Sequence, residues 1–321
     1  MLNPILFAAA VCALLIFGLV QSAAQESAPA PAAQVAPVKL EALITDDKGR
    51  FVGEVKPEQV RLSVNGAEQK ANAVELATKP VTYGLVVDNS GSLRTQFGAV
   101  LLTAQSFLAE NRPGDRAFVL RFVHRDGVDL LQGVTDDAAA LRGAVERMRV
   151  EPGQTALIDA LYLSAEHLLK ESPPDPGRRR AIVLLSDGEE RESRRKLEEL
   201  LKLLRGTGVQ LFCVGFVSEL SHEQGLINKS RRDRATDLLK RLAAETGGLA
   251  FFPEKFPELQ AAFGELVRHL RAQHEVAFTP AAVLRPEDVR KAELKVSSGA
   301  DGRKRRALVR LPAPPAPAGK D

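Results

Sequence analysis

The chain has 321 residues, enough for one large domain or two smaller ones with real cores. Apolar residues make up 45% and charged residues 26%, which is ordinary for a globular protein. Acids and bases are well mixed around a net charge of +3, so no nucleic-acid footprint appears.

The first 24 residues carry no charged side chain and hold an apolar run over 5–20. Ser22-Ala23-Ala24 has the small-x-small form of a signal-peptidase site, which predicts cleavage after Ala24 and export to the periplasm or the extracellular space. The rival reading is an uncleaved membrane anchor, although the 16-residue run is short for a span of ~20 residues. Val11 before Cys12 does not make a lipobox. Cleavage leaves Cys213 without a disulfide partner; in VQLFCVGFV it reads as a small buried hydrophobe.

Residues 25–37, QESAPAPAAQVAP, form a Pro/Ala spacer, and 312–321 are a similar tail. Residues 38–78 alternate as strands: VKLEALI, a DDKGR turn, VRLSV, then a hairpin signal at Asn65-Gly66. Residues 274–311 look similar, with HEVAFTP, AELKVSS and RALVRL. Neither piece has enough strands to bury a face, so the two are expected to pair into one small β-domain.

Between them, 80–272 alternate strand and helix. Strands are predicted at 81–87, 117–123, 181–186, 209–217 and 249–252, with a weaker one near 128–134. Helices fall at 93–110, 136–149, 156–171, 194–205, 233–246 and 257–272, and glycines at 206, 208, 247 and 248 mark helix ends. The fold class is therefore α/β, a doubly wound, mostly parallel sheet, with the small β-domain formed by the flanking segments. Ligands bind such sheets at the carboxyl ends of strands. Asp88 ends one strand and Asp187 another, which places both carboxylates on one rim.

The stretch VVDNSGS, 86–92, runs a buried strand into an acid and a knot of oxygens. Asp88, Ser90 and Ser92 alternate over a bend where Gly91 relaxes the backbone, while Asn89 faces elsewhere. Thr155, in GQTALIDAL, adds a hydroxyl at a helix start. Two acids and three hydroxyls with no His or Cys suit a hard cation, Mg²⁺ or Mn²⁺ ahead of Ca²⁺, and argue against zinc. A divalent ion also removes the repulsion between two close carboxylates. The plainer alternative makes Asp88 to Ser92 an N-cap before the helix at 93–110, Thr155 another cap and Asp187-Gly188 a turn.

DNSGS, the Thr of GQTAL and the Asp of LLSDG, in this order, resemble the von Willebrand factor A domain and its metal-ion-dependent adhesion site. The flanks resemble bacterial secreted proteins of the same kind. Gln154 departs where a second Gly is usual, Ser186 where Thr is common and His274 where Tyr is frequent; none of these removes a ligand. The resemblance implies that Ser90, Ser92 and Thr155 touch the ion, with Asp88 and Asp187 acting directly or through water. It also implies a protein partner offering a carboxylate, with no catalysis, nucleic acid or small-molecule substrate, and membrane association only if the leader stays uncleaved. The alternative function is a hydrolase or phosphotransferase with Asp88 as nucleophile, which wants a second acid at 90, where Ser stands. Glu189 and Glu190 read as a helix-start bias, and the basic runs 178–180, 229–234 and 303–306 as solvated faces.

Overall fold

The structure, a computed structural model, describes residues 36–309 apart from 48, 176, 222, 224–228, 290 and 299–301. The leader, nearly all of the spacer and the 312–321 tail lie outside the described residues. Alternating apolar residues write the first strands: β1 (Val38–Asp46) buries Leu40, Ala42 and Ile44, and β2 (Val60–Val64) buries Val60, Leu62 and Val64. Asn65 and Gly66 take φ of 51° and 79°, the positive values of a two-residue hairpin whose twist matches its strands. β3 (Ala67–Gln69) and β4 (Ala71–Thr78) follow.

The middle of the chain is β5 (Val81–Asp88), α1 (Phe97–Ala109), β6 (Arg116–Phe122), β7 (Val128–Thr135), α2 (Ala138–Glu146), α3 (Leu157–Glu171), β8 (Arg179–Ser186), α4 (Leu197–Thr207), β9 (Gln210–Gly215), α5 (Arg231–Thr246), β10 (Ala250–Phe251) and α6 (Phe256–Arg271). Gly208 and Gly247 close α4 and α5 in the left-handed conformation. The chain then returns through β11 (Ala272–Phe278), a short α7 (Pro286–Val289), β12 (Glu293–Val296) and β13 (Arg305–Val309).

The central sheet runs β10-β9-β8-β5-β6-β7, parallel throughout except for β7, which is antiparallel to β6. Because a strand alternates faces, Val81, Tyr83, Leu85 and Val87 pack with α1, α2 and α6, whereas Val86, Phe118, Ile182 and Leu184 pack with α3, α4 and α5. Gly84 makes this second layer possible. A Cβ there would stand 2.2 Å from Cζ of Phe118, whose ring occupies that space. Cys213 is fully buried and apolar in its surroundings, and burial pushes its thiol pKa up. Strand order reverses between β5 and β8, so their carboxyl ends form the crevice where such sheets bind ligands.

The flanking strands make two further sheets, β13-β1-β11-β4 and β12-β2-β3, each mixing strands from both sides of the central sheet in sequence. Leu40, Ile44, Leu62, Phe278 and Leu294 share one core. Glu41 faces Glu275 across β1 and β11, a repulsive pair by itself. Lys79 bridges both carboxylates, and Lys39 Nζ donates to Glu275 at 3.0 Å.

The basic run 178–180 corrects the solvated-face reading. Arg179 is 1% and Arg180 5% exposed. Arg179 donates to the carbonyls of Arg271 and Ala77, and Arg180 to those of Ser172 and Thr207. These carbonyls sit where the flanking layer and the ends of α3 and α4 cover the start of β8.

Candidate functional site

Asp88 and Asp187 lie at or just past the carboxyl ends of the adjacent strands β5 and β8, 0% and 1% exposed. Asp88 Oδ1 accepts from the Ser90 N–H at 2.9 Å, and Oδ2 accepts from the Ser186 hydroxyl at 2.7 Å. Ser186 in turn accepts from the Gly188 N–H at 2.9 Å. Asp187 Oδ1 accepts from the Glu189 N–H, but the buried Oδ2 has no hydrogen-bond partner among the described residues. Burial, and then the neighbouring Asp187 charge, raise the Asp88 carboxyl above its ordinary range. Burial raises Asp187 as well. No ion pair among the described residues reaches either acid.

Two of the predicted hydroxyls meet beside Asp88. Ser90 Oγ lies 2.9 Å from Ser92 Oγ, and Thr155 is buried ahead of α3. Backbone hydrogen bonds tie the three loops together. Asn89 O accepts from Glu151 N at 2.9 Å, and Asn89 Nδ2 donates to Arg149 O at 2.8 Å. Thr155 O accepts from Arg191 N at 2.9 Å and Glu192 N at 3.3 Å. Gln154 is exposed, so its departure from glycine meets no obstacle.

Asp187-Gly188 does form a turn, with Gly188 at φ 78° and Asp187 Oδ1 accepting from the Glu189 N–H, but the helix-cap readings do not describe the other residues. Ser90 makes no side-chain cap, and 90–96 are held by three-residue turn bonds, so α1 starts at Phe97 rather than 93. Ala156, not Thr155, precedes α3 and caps nothing with its side chain. Glu190 supplies that cap from a distance, its Oε2 accepting from the Ile158 N–H at 2.8 Å. Residues 187–196 are irregular, and α4 starts at Leu197 because the N–H groups of Arg194 and Arg195 turn to Asp159 at 2.9 and 2.8 Å. The helix-start reading of Glu189 and Glu190 is therefore corrected. Glu189 is instead gripped by Arg231 through Nε at 2.7 Å and Nη2 at 2.6 Å, and by Arg191 at 2.9 Å. Burial opposes its ionisation, but the two guanidinium groups outweigh it and hold the carboxyl below its ordinary range.

A cation fits these groups on chemical grounds. The donors are all oxygen, neither acid forms an ion pair among the described residues although the Arg231 charge reaches Asp187 through space, and one buried carboxylate oxygen is unpartnered. No group of three His, Cys, Asp or Glu side chains converges among the described residues, so the set relies on its hydroxyls. Sequence reasoning missed the roles of Ser186 and Asn89, which position the loops; Ser186 ends β8 and Asn89 follows β5, but Asp88 and Arg149, to which they donate, are distant in sequence.

The von Willebrand factor type A domain matches residues 84–265, more than half of the chain, and the protein belongs to that family. Solved structures similar to it include an aerotolerance-related membrane protein from Bacteroides fragilis NCTC 9343 with multiple mutations to serines. It is 18% identical, with 59% of this chain and 98% of that one covered at a TM-score of 0.47. A von Willebrand factor type A protein from Catenulispora acidiphila is 12% identical over 88% of this chain and 75% of that one, at 0.48. Proximal thread matrix protein 1 from the mussel byssus, with a zinc-occupied MIDAS motif, is 19% identical over 64% and 50%, also at 0.48. No curated protein matches.

Proposed function

We propose that this protein is an exported, divalent-metal-dependent protein-binding module that captures a carboxylate of its partner. The carrying observation is the pair Asp88 and Asp187, buried side by side at the switch point with no ion pair among the described residues and with Asp187 Oδ2 unpartnered. Two buried carboxylates without an ion pair are expensive. Asp88, Ser90, Ser92, Thr155 and Asp187 would hold Mg²⁺ or Mn²⁺, hard ions that match an oxygen-only donor set. Bound there, the ion supplies a positive charge that attracts an anionic oxygen from outside.

The protein's own residues do the rest. Ser186 and the Ser90 N–H fix both oxygens of Asp88, and Gly188 and Glu189 orient the turn around Asp187. That arrangement does not favour Asp88 as a nucleophile, because the carboxylate is fully buried and both oxygens already accept hydrogen bonds. Export rests on the uncharged leader and its small-x-small site. Among the described residues, no helix is long and apolar enough to cross a membrane.

Immobilised protein should capture its partner in Mg²⁺ or Mn²⁺, release it in EDTA and recapture it when the metal returns. Asp88→Ala should capture none. A partner retained equally by wild type, by Asp88→Ala and in EDTA contradicts the proposal.

A further inference from the structure

The segment after Asp187 sends guanidinium groups to both sides of the rim. On one side Arg191 and Arg231 are spent on Glu189. On the other, a cleft of about 270 Å³ opens beside the first turns of α3, lined by Arg125, Asp126, Asp159, Tyr162, Arg194 and Arg195. Hydrogen bonds place this cleft next to the site. Arg125 N donates to Glu192, whose own N–H donates to Thr155, and Asp159 stands four residues beyond Thr155.

The charges in the cleft are not internally settled. Asp159 is buried and uses both carboxylate oxygens on the N–H groups of Arg194 and Arg195. The Arg194 guanidinium has no hydrogen-bond or ion-pair partner among the described residues, and Arg195 lies over the Tyr162 ring at 4.1 Å with no carboxylate against it. Stacking fixes a guanidinium without neutralising it. Arg125 reaches Glu192 only at 3.9 Å. Leu163, 46% exposed, adds an apolar wall. With the exposed Asp126 and the buried Asp159 counted, the lining still carries more positive than negative charge, and Arg194 and Arg195, exposed beside one aromatic ring and one leucine, suit a carboxylate carried on a chain with apolar neighbours.

We infer that this cleft is a second anchoring subsite and that the partner segment is a polyacidic peptide, one acid directed to the rim site and a further acid to Arg125, Arg194 and Arg195. This inference rests on the capture of a carboxylate proposed above. It makes the protein a reader of acidic clusters rather than of isolated Asp or Glu residues.

Two fluorescein-labelled peptides test it, Gly-Ser-Asp-Gly-Ser and Leu-Glu-Glu-Ser-Asp-Ser-Glu-Glu-Leu, titrated against the full chain in Mg²⁺ and in EDTA. The longer peptide should bind about tenfold more tightly in Mg²⁺, the factor that ~1.4 kcal/mol produces. Arg194→Glu with Arg195→Glu should erase that preference while leaving the Mg²⁺-dependent binding of the short peptide in place. Arg125→Ala, which leaves the 194–195 turn intact, should reduce the preference in the same direction. Absence of a preference in wild type, including no binding of either peptide, or a preference kept by the double variant, overturns the inference. Equal, EDTA-sensitive binding of both peptides defeats the subsite and leaves the metal reading standing. A preference that survives EDTA and Asp88→Ala but falls with the arginines keeps the cleft and defeats the metal reading.

Discussion

The two ends of the central sheet both bury charge, and they treat it in opposite ways. At the amino ends of β5, β6 and β8, Asp115 accepts from the N–H groups of Val81 and Arg112 and pairs with Arg271, while Arg179 and Arg180 are taken up by backbone carbonyls. At the carboxyl ends, Asp88 and Asp187 sit together with hydroxyls and no ion pair to either acid among the described residues. Burial of an ionisable group is thus no sign of function here; the missing ion pair is. The amino end spends its charges on holding the flanking layer and α6 against the sheet. The carboxyl end leaves a charge to be supplied from outside.

The largest expected effect breaks the amino end. Asp115→Ala leaves Arg271 buried without its carboxylate and should cost about 3–5 kcal/mol in urea unfolding, with or without Mg²⁺. A loss under 1 kcal/mol, on the order of an exposed pair, would mean that this end is not as tightly compensated as its geometry indicates.

A third solution is to keep a buried base neutral. His269 is fully buried beside Phe51 and donates through Nε2–H to the Gly49 carbonyl at 3.1 Å, with Glu265 at 3.6 Å and Arg268 on its own helix. Burial lowers its pKa to about 4. The folded value lies below the unfolded one, so the unfolded chain takes up the proton first as the pH falls. This stability is complete above pH ~6.5 and declines towards pH 4, by about 2 kcal/mol between pH 7.5 and pH 5. His269→Gln should flatten that part of the pH dependence; an unchanged slope would remove His269 as its source.

The smallest effect has the opposite sign to the first. Asp187→Asn removes one buried charge that has no ion pair, keeps the oxygen that accepts from Glu189 N–H, and places an amide where Oδ2 has no partner. It should stabilise the metal-free protein by about 1 kcal/mol in the same urea assay. Destabilisation by a similar amount would show that Asp187 is already compensated.

Most of this contrast was half legible in the sequence. The order of strands and helices from 81 to 272 was legible because continuous apolar runs and amphipathic stretches carry their periods locally, whereas helix starts such as those of α1 and α4 were not. Asp88 and Asp187 stood out because each interrupts an apolar strand at its end. Arg179 and Arg180 did not, since three consecutive arginines look solvated and only the surrounding carbonyls reveal otherwise. The grip of Arg231 on Glu189 and the remote cap by Glu190 join residues 42 and 32 positions apart, a distance over which no local pattern carries. For the same reason α4 begins at 197 and not 194: its first turn is lost to Asp159, a neighbour only in space.

Calorimetric titration of Mg²⁺ and Mn²⁺ into the metal-free protein tests the central claim most directly. Wild type should bind one ion per chain, Asp187→Asn and Asp88→Ala should bind none, and Arg194→Glu with Arg195→Glu should bind as wild type does. No saturable binding by wild type, or equal binding by wild type and Asp187→Asn, would contradict the account.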